Sequence, residues 1–526
     1  MTVDLSKAAP IDSSDPQFAP TLHNLQGNIL KGHGRDHTVH LFFEFQDYRA
    51  VVQPALADLA GQYVTSAAQQ LHDTQQFKDF GIPGGLFGGL LLTARGYGKL
   101  GFTADQLAAA FAEAPGDLGV TSSFKAGMAA GIADLSDPLE TAWEPGYQGR
   151  RIDAMLLLAD DDEAFLLRQA HTALAQVSAF ATVLAVEHGG ALRNEAGNGI
   201  EHFGYVDGRS QPIYLASDIA DEGGTDKWDP SAPLGQVLVQ DRTVPDADSF
   251  GSYFVFRKLE QDVLHFKMRE QDLATTLGLG DEDRERAGAM VIGRFEDGTP
   301  VVLSQTDGFR PVKDNNFQYD LDPEGMKCPF AAHIRKSNPR GDIGRQFGAD
   351  PAIAERPRRM TRRGIPYGKR KFNPDAVQAI EDLPSGGVGL LFMCYGSSIA
   401  NQFAFIQKNW VNAPDFVKTG VGIDPIIGEG APTSQDWPVA WGAPATKPVG
   451  FEGFVTLKGG EYFFAPSLPF LSKLAPPMAA AAGAALPRSA TAQSLPVVLS
   501  AGDPAQSGAA APPIAAPPEL VGGRKC

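Results

Sequence analysis

Short apolar runs typical of buried strands alternate with helix-like stretches in two successive parts of the chain. The first part contains the strand-like "HTVHLFFEF" and the helix-like "TADQLAAAFAEA", for which Thr103 is a suitable N-cap. A second part begins near residue 250 with "SYFVFRKLEQDVLHFKMREQ" and ends with "GFVTLKGGEYFFAPS". This order predicts an α+β fold in which helices pack on antiparallel sheets.

Length and local composition predict how the chain is divided. A chain of 526 residues is long for one core, so two packed parts are expected. The C-terminal stretch is rich in Ala, Pro, Ser and Gly, and it cannot bury enough apolar surface to offset its ordering entropy. The predicted organisation is a flexible leader (1–21), an N-terminal half (22–217), a linker region (218–248), a C-terminal half (249–470) and a disordered tail (476–526).

Charge and cysteine content narrow the class of protein. A net charge of -17 argues against nucleic acid or an anionic membrane surface as a partner, because both attract surplus Lys and Arg. The 3 cysteines cannot form a disulfide framework and fit a reducing compartment. No apolar run approaches the roughly 20 residues of a membrane span, and no signal peptide is evident. We expect a cytoplasmic protein.

Two motifs resemble functional sites but are better explained otherwise. "GYGKLG" matches G-x-G-x-x-G, yet "PGDLGVTSSF" follows it instead of the second strand with an acidic end that a dinucleotide site requires. His33, His37 and His40 are close in sequence, but residues three apart on a strand point to opposite faces. No C-x-x-C-H motif is present, which excludes covalent c-type haem. We expect neither a dinucleotide site nor a histidine metal cluster.

The segment "KCPFAAHIRKSNPR" is a candidate cofactor site. Pro329 suits the first position of a helix and Pro339 prevents its continuation, so a short helix with His333 at its middle is predicted. The small side chains of the two preceding alanines leave room for a flat group beside the imidazole. Cations that could pair with the propionates of a haem follow at Arg335, Lys336 and Arg340. The alternative is a core histidine packed in a basic helix.

Two further segments carry residues suited to chemistry. In "EHFGYVDGRSQP", Asp207 lies between Gly204 and Gly208, which is typical of a backbone that lets a ligand approach, although an Asx turn would give the same pattern. In "RPRRMTRRGIPYG", five arginines occur within Arg356–Arg363. Such a cluster forms either a solvated loop or a source of one guanidinium for a pocket.

Taken together, the motifs carry a family resemblance. "NLQGNILKGHGRDH", "HFGYVDGRSQP", "CPFAAHIRKSNPR", "RRGIPYG" and "GLLFMCYGSSIANQFAFIQ" occur in this order. Over roughly residues 22 to 470 the chain resembles the dye-decolourising peroxidases, in particular their larger intracellular bacterial and fungal-like branch. The resemblance implies two ferredoxin-like α+β halves that enclose a pocket for one haem b per chain.

The resemblance also implies roles for individual residues. His333 would be the proximal iron ligand, Asp207 the distal acid and base, and Arg362 the distal guanidinium, which also contacts the cofactor. The remaining cofactor contacts would be Leu390, Phe392 and Gly208. An aspartate in this role works at acidic pH, where a histidine would be protonated, because aspartate ordinarily ionises near pH ~4.

The implied reaction is reduction of hydrogen peroxide coupled to one-electron oxidation of bulky organic reductants such as dyes and phenolics. Reductants too large for the pocket would be oxidised through surface aromatic residues, for which the candidates are Trp143, Trp228, Trp410 and Tyr205. The hydrogen-bond acceptor of the proximal histidine would be Ser398, Asn401 or a residue elsewhere, because "SSIANQF" contains no carboxylate.

Other functions are compatible with parts of the sequence. A haem-binding sensor or carrier could use the Cys328 thiolate of the Cys328-Pro329 pair as its iron ligand. A cargo enzyme could dock in a protein shell through its tail, in which "SLPVVLS" is a candidate docking peptide. A homo-oligomer is also compatible with the sequence.

Overall fold

The computed structural model describes residues 3–8, 10–207, 210–222, 231–308, 315–376 and 378–475. All strand pairs in this part of the chain are antiparallel. The strands are β1 (His37–Phe45), β2 (Phe87–Leu92), β3 (Ala154–Asp160), β4 (Ala181–Gly190), β5 (Leu192–Arg193), β6 (Gly199–Ile200), β7 (Val239–Gln240), β8 (Phe250–Gln261), β9 (Thr361–Arg362), β10 (Ile365–Tyr367), β11 (Gly389–Gly396), β12 (Gln435–Pro438), β13 (Thr446–Val449) and β14 (Val455–Ala465).

Helices connect and cover these strands. They are α1 (Ala19–Asn24), α2 (Arg49–Tyr63), α3 (Ala67–Phe80), α4 (Ala94–Lys99), α5 (Ala104–Ala110), α6 (Ile132–Leu135), α7 (Glu163–Ser178), α8 (Ala216–Asp221), α9 (Val263–Leu277), α10 (Arg286–Ile292), α11 (His333–Ser337), α12 (Asp342–Phe347), α13 (Pro351–Ala354) and α14 (Leu468–Lys473). The predicted N-cap is confirmed, because Thr103 forms a capping box with Gln106 at the start of α5. None of the described helices has both the length and the apolar character needed to span a bilayer.

Eight strands form a closed ring in the order β8-β14-β2-β3-β1-β4-β10-β11, and β11 pairs with β8 to close it. The N-terminal strands follow the order β4-β1-β3-β2, and the C-terminal strands follow the equivalent order β14-β8-β11-β10. Each is the strand order of a ferredoxin-like βαββαβ unit. The predicted fold class, an α+β fold of two such halves, is therefore confirmed.

The two halves meet in the ring through short contacts. One is the Tyr367–Gly189 pair of β10 and β4, and the other is the Phe464–Leu92 pair of β14 and β2. Strand β3 is buried along its whole length, because it lies within the ring and α7 packs on it. This double burial explains why β3 reads as a continuous apolar run without alternation.

The N-terminal segment is more ordered than predicted. Ile11 is buried and forms a bridge with Leu215, and the N–H of Ala216 donates to the Ile11 carbonyl at 2.9 Å. A helix then begins at Ala19 within the supposed leader. The predicted linker region also contains regular structure, including β7 and most of α8. The predicted tail lies outside the described residues.

Candidate functional site

One cavity of about 300 Å³ brings together the residues that the separate motifs indicated. Its lining includes His333 at the start of α11, Arg362 on β9, Asp207 after β6, and Leu390 and Phe392 on β11. Gly208 lies outside the described residues. Residues that are up to 185 positions apart in sequence thus line the same cavity, and most of them belong to the C-terminal half.

His333 is the first residue of a helix, whereas the sequence predicted that it lies at the middle of one. Helix α11 starts at His333, with Ala332 as the N-cap residue, and ends before Asn338 and Pro339. The two alanines and Pro329 form a turn that precedes the helix, because the Ala332 N–H donates to the Pro329 carbonyl at 3.0 Å. The imidazole therefore projects from a helix start into the cavity, where its side chain keeps 24% exposure.

The acceptor for His333 is Asp424, which sequence reasoning did not identify. The Nδ1 of His333 lies 2.9 Å from Oδ2 of Asp424, whose side chain is completely buried. The other carboxylate oxygen accepts the N–H groups of Ile426 and Ile427 at 2.8 and 3.0 Å. A carboxylate on Nδ1 favours the tautomer with its proton on that atom, which leaves Nε2 as a free donor of electrons toward the cavity.

Electrostatics reinforce this pair. Burial disfavours the charged imidazole, but the Asp424 carboxylate outweighs that effect and raises the pKa of His333. For Asp424, burial acts to raise the pKa, and the imidazole and two backbone N–H groups bring it below its ordinary value. The carboxylate therefore stays ionised in the interior.

Ser398 and Asn401, the acceptors considered from sequence, have other partners. The Ser398 hydroxyl accepts the Asn401 N–H at 3.1 Å, which caps a π-helical turn at Ile399–Phe403. The Asn401 side chain accepts the N–H of Asp117 at 2.9 Å. Neither side chain reaches His333. Asp424 lies 91 residues after the histidine in "GIDPII", where only the isolated buried acid could have suggested a role.

Of the three cations that follow His333, only Arg340 lines the cavity. Arg335 points away from it and is enclosed by Asp322 and Asp342, at 3.0 and 2.8 Å. Lys336 is buried and donates to two backbone carbonyls. The prediction that all three serve cofactor propionates is therefore wrong for Arg335 and Lys336, whose charges are used inside the fold.

Asp207 and Arg362 face each other at the cavity. The nearest atoms, Nη1 of Arg362 and Oδ1 of Asp207, are 3.5 Å apart, and their side chains remain 33% and 40% exposed. Strand β9 holds the arginine, because it pairs with Cys394 of β11 and its own N–H donates to Gln211 at 3.0 Å. A carboxylate and a guanidinium are thus accessible to a small molecule in the cavity.

The arginine-rich segment contributes more than one guanidinium. Arg359, Arg362 and Arg363 all line the cavity, so the solvated-loop interpretation is wrong for them. Arg363 is anchored by its Nε, which donates to the carbonyl of Asn28 at 2.7 Å. Burial lowers the pKa of Arg363 to about 10, so it remains positively charged at neutral pH.

Apolar side chains form the broad walls of the cavity. Leu390 and Phe392 are two residues apart on β11 and therefore point to the same face. A second wall comes from Phe403 and Ile406 of consecutive π-helical turns at Ile399–Phe403 and Ile406–Val411. π-Helical turns are rare and often occur at functional sites, because they displace side chains from the regular helical spacing.

Two acids in the lining were not predicted. Glu201 accepts the N–H groups of Phe203 and Tyr205 at 2.8 and 3.1 Å, and burial raises its pKa to about 7. Burial likewise raises the pKa of Glu429 to about 7, with Arg257 opposing the rise. Glu201 is the first residue of the segment "EHFGYVDGRSQP" but was given no role there, and Glu429 lies outside the segments singled out from the sequence, so their position in the fold reveals both.

The donor set fits a haem group. One imidazole offers Nε2 to the cavity, the walls are apolar, and the lining includes cations that could pair with carboxylates. These cations are Arg294, Arg340, Arg359, Arg362 and Arg363. The competing thiolate ligand is not favoured: Cys328 is fully buried, does not line the cavity, and has its pKa raised by burial to about 12.

Of the four aromatic residues considered as surface relays, the three that the structure describes are not at the surface. Trp143, Trp410 and Tyr205 are all buried, and Tyr205 lines the cavity. Trp228 lies outside the described residues. The histidines at 33, 37 and 40 form no group with metal-ligand spacing within the described part of the chain.

Comparisons with known proteins agree with this architecture. A family model described as "DyP dimeric alpha+beta barrel domain" matches residues 24–193. The chain is 46% identical to the multifunctional dye peroxidase DyP2 of Amycolatopsis, over 90% of this chain and 100% of the relative, and 30% identical to the dye-decolorizing peroxidase msp1 of Mycetinis scorodonius, over 88% and 89%. The crystal structure of an Anabaena DyP-type peroxidase superposes with a TM-score of 0.81 at 41% identity, covering 90% of this chain and 99% of that one.

Proposed function

This chain belongs to the dye-decolourising peroxidases and is a haem peroxidase that acts on dyes, and from that premise we propose that its cavity binds one haem b with His333 as the iron ligand and with Asp207 and Arg362 as the catalytic residues. The single observation that supports this assignment best is that the one imidazole held by a buried carboxylate opens into the same cavity as the Asp207–Arg362 pair. When bound, the haem iron supplies the redox chemistry that couples peroxide reduction to oxidation of an organic reductant.

His333 holds the cofactor through Nε2. The Asp424 carboxylate accepts a hydrogen bond from the Nδ1 proton and attracts that proton, which makes Nε2 a stronger electron donor. Leu390 and Phe392, which line the cavity, would pack on the bound cofactor and exclude water from the reacting side. Arginines of the lining, among them Arg340, would pair with the carboxylates of the bound cofactor.

Asp207 moves the proton in the peroxide step. Its carboxylate accepts the proton of one peroxide oxygen and returns it to the other, so that the second oxygen leaves as water. Arg362, 3.5 Å from Asp207, stabilises the negative charge that develops on the departing oxygen. The pair thus acts as acid, base and electrostatic support without a distal histidine.

The physiological setting is part of the proposal. We infer that bulky organic reductants donate electrons one at a time, and that the enzyme works in the cytoplasm. The second inference is supported by Cys328 and Cys394, which are buried free thiols and fit a reducing compartment.

Two variants test the catalytic assignment. Asp207→Asn should keep haem and slow the reaction with peroxide by about 10²–10⁴-fold, the usual contribution of a general base. Arg362→Leu should slow it by about 10²–10³-fold, as for loss of one stabilising donor. Stopped-flow absorption after adding one equivalent of peroxide measures both rates, with haem content determined in parallel.

Exposed residues of the same types provide matched controls. Asp436→Asn on β12 and Arg168→Leu on α7 should react like the wild type, because both side chains are exposed and lie outside the cavity lining. If the Asp207 and Arg362 variants retain haem and also react at the wild-type rate, the distal assignment is wrong.

A further inference from the structure

Lys336 is a buried ammonium group behind the histidine helix. It lies on α11 three residues after His333, is 1% exposed, and does not line the cavity. Its Nζ donates to the carbonyl oxygens of Ala413 and Phe416 at 2.7 and 2.8 Å. No carboxylate of the described residues lies within ion-pair distance of it, so the charge is held by backbone carbonyls, with the centroid of the Phe416 ring 5.9 Å from Nζ.

Segment 411–424 contains both backbone carbonyls that accept from Lys336 and also contains Asp424. The Asp424 N–H donates to the Val411 carbonyl at 2.9 Å, two residues before the first carbonyl that Lys336 contacts. Asp424 in turn accepts from His333. Segment 411–424, which begins at the last residue of the second π-helical turn, therefore both accepts from the lysine and supplies the acid that faces the histidine. The Asp424 carboxylate also acts electrostatically on Lys336.

The charged groups around Lys336 are few. On segment 411–424 they are Asp424 and Asp415, which both favour the ammonium form of Lys336. On its own helix they are His333 and Arg335, and the latter is engaged by Asp322 and Asp342. Burial lowers the pKa of Lys336 to about 7, with Asp424 the larger of the two opposing effects. At pH 6 the group is therefore mainly charged.

We propose that Lys336 is a positioning residue whose positive charge, acting through Asp424, limits how strongly His333 donates electrons to the haem iron. The proposal rests on the proposed role of His333 as the iron ligand. A cation beside the carboxylate weakens its attraction for the Nδ1 proton, so the imidazole keeps less anionic character. A less anionic ligand, together with the positive charge itself, favours the reduced iron and raises its reduction potential.

The test compares Lys336→Met with Lys336→Arg in the haem-loaded protein at pH 6. Methionine keeps the apolar stem and removes the charge, whereas arginine retains a charge with donors for the two carbonyls. Spectroelectrochemical titration should show a lower ferric/ferrous potential in Lys336→Met and a potential near that of the wild type in Lys336→Arg. The iron–histidine stretching frequency of the ferrous protein should rise in Lys336→Met only.

Several outcomes would overturn the proposal. An unchanged or higher potential in Lys336→Met does so, and so does an equal shift in both variants, which would indicate packing and not charge. If Lys336→Met fails to bind haem, wild type and Lys336→Arg are compared at pH 6 and pH 8.5. The wild-type potential must then fall relative to that of the arginine variant as Lys336 loses its proton, and no relative fall refutes the proposal.

Failure of the proposed role of His333 as iron ligand can be distinguished from failure of the proposed role of Lys336. If the wild-type protein shows no histidine-ligated ferrous spectrum, or if His333→Ala retains that spectrum, the proposed function itself is wrong. If the histidine-ligated spectrum is present and only the potentials do not respond, His333 remains the ligand and the role of Lys336 alone is rejected.

Discussion

Replacement of Asp424 by asparagine should weaken haem binding through the tautomer of His333. Oδ1 of Asp424 accepts two backbone N–H groups, from Ile426 and Ile427, and Oδ2 accepts from His333. In Asp424→Asn the amide oxygen keeps the two backbone donors, so the amide NH₂ faces Nδ1. The imidazole must then accept at Nδ1 and carry its proton on Nε2, the atom that would bind iron.

The size of the effect follows from these contacts. The charged hydrogen bond to His333 is worth about 1.5–3 kcal/mol. The opposite amide orientation does not avoid the cost, since it leaves two buried N–H groups facing an NH₂ group, at about 1–3 kcal/mol each. Either way, haem affinity should fall by about 10–100-fold, in line with the loss of other partners of metal ligands. Haem transfer from the loaded protein to apomyoglobin measures the change as a rate and an equilibrium.

Asp436→Asn is the matched control, because that residue lies exposed on β12 and the same change of charge there should leave haem affinity unaltered. A haem affinity for Asp424→Asn within about twofold of the control corresponds to less than about 0.5 kcal/mol, which the tautomer argument does not permit. That result would show that the carboxylate does not fix the proton on Nδ1.

Two other perturbations test how the histidine helix is held. Arg335→Met should lower the free energy of unfolding by about 3–5 kcal/mol, because it leaves the buried Asp322 carboxylate without its cation and leaves Asp342 with Arg345 as its remaining ion-pair partner. Denaturant titration checks this, and a loss below about 1 kcal/mol would contradict it. Lys336 has a folded pKa of about 7 and an ordinary value of 10.5, so the folded state binds fewer protons between these limits and stability should rise with pH. The free energy of unfolding of the wild type relative to Lys336→Met should therefore increase from pH 7 to pH 10 by about 3–4 kcal/mol, and a pH-independent difference would refute the burial argument.

The side of the cavity that carries Asp207 and Arg362, which the proposed function makes the distal side, is built differently from the side of His333, which it makes the proximal side. Asp207 and Arg362 are partly exposed and lie 3.5 Å apart, so they remain available to a small reactant. His333 depends on the fully buried carboxylate of Asp424 and on a helix whose residues Arg335 and Lys336 are buried and bonded inside the fold. Substitutions on the distal side should thus affect mainly the peroxide reaction, whereas those on the proximal side should affect mainly cofactor affinity and potential.

Much of the fold was predictable from local patterns. Strand β1 coincides with the predicted run, and Thr103 caps the predicted helix, because apolar periodicity and capping depend on residues close in sequence. The order of strands and helices predicted the α+β class. The position of the first residue of α11 was less predictable, since Ala332 and Pro329 form a turn there although proline often begins a helix.

The sequence by itself determined which residue types could do the chemistry: a histidine between prolines, an aspartate between glycines, and an arginine cluster. Only the tertiary structure decided their partners. Asp424 approaches His333 from 91 residues away, and Arg335 points away from the cavity to the buried carboxylates of Asp322 and Asp342, although it lies only two residues from His333. Periodicity and capping depend on residues that are close in sequence. The direction of a side chain and the identity of the acid that contacts it depend on how distant segments pack, which no short-range sequence pattern predicts.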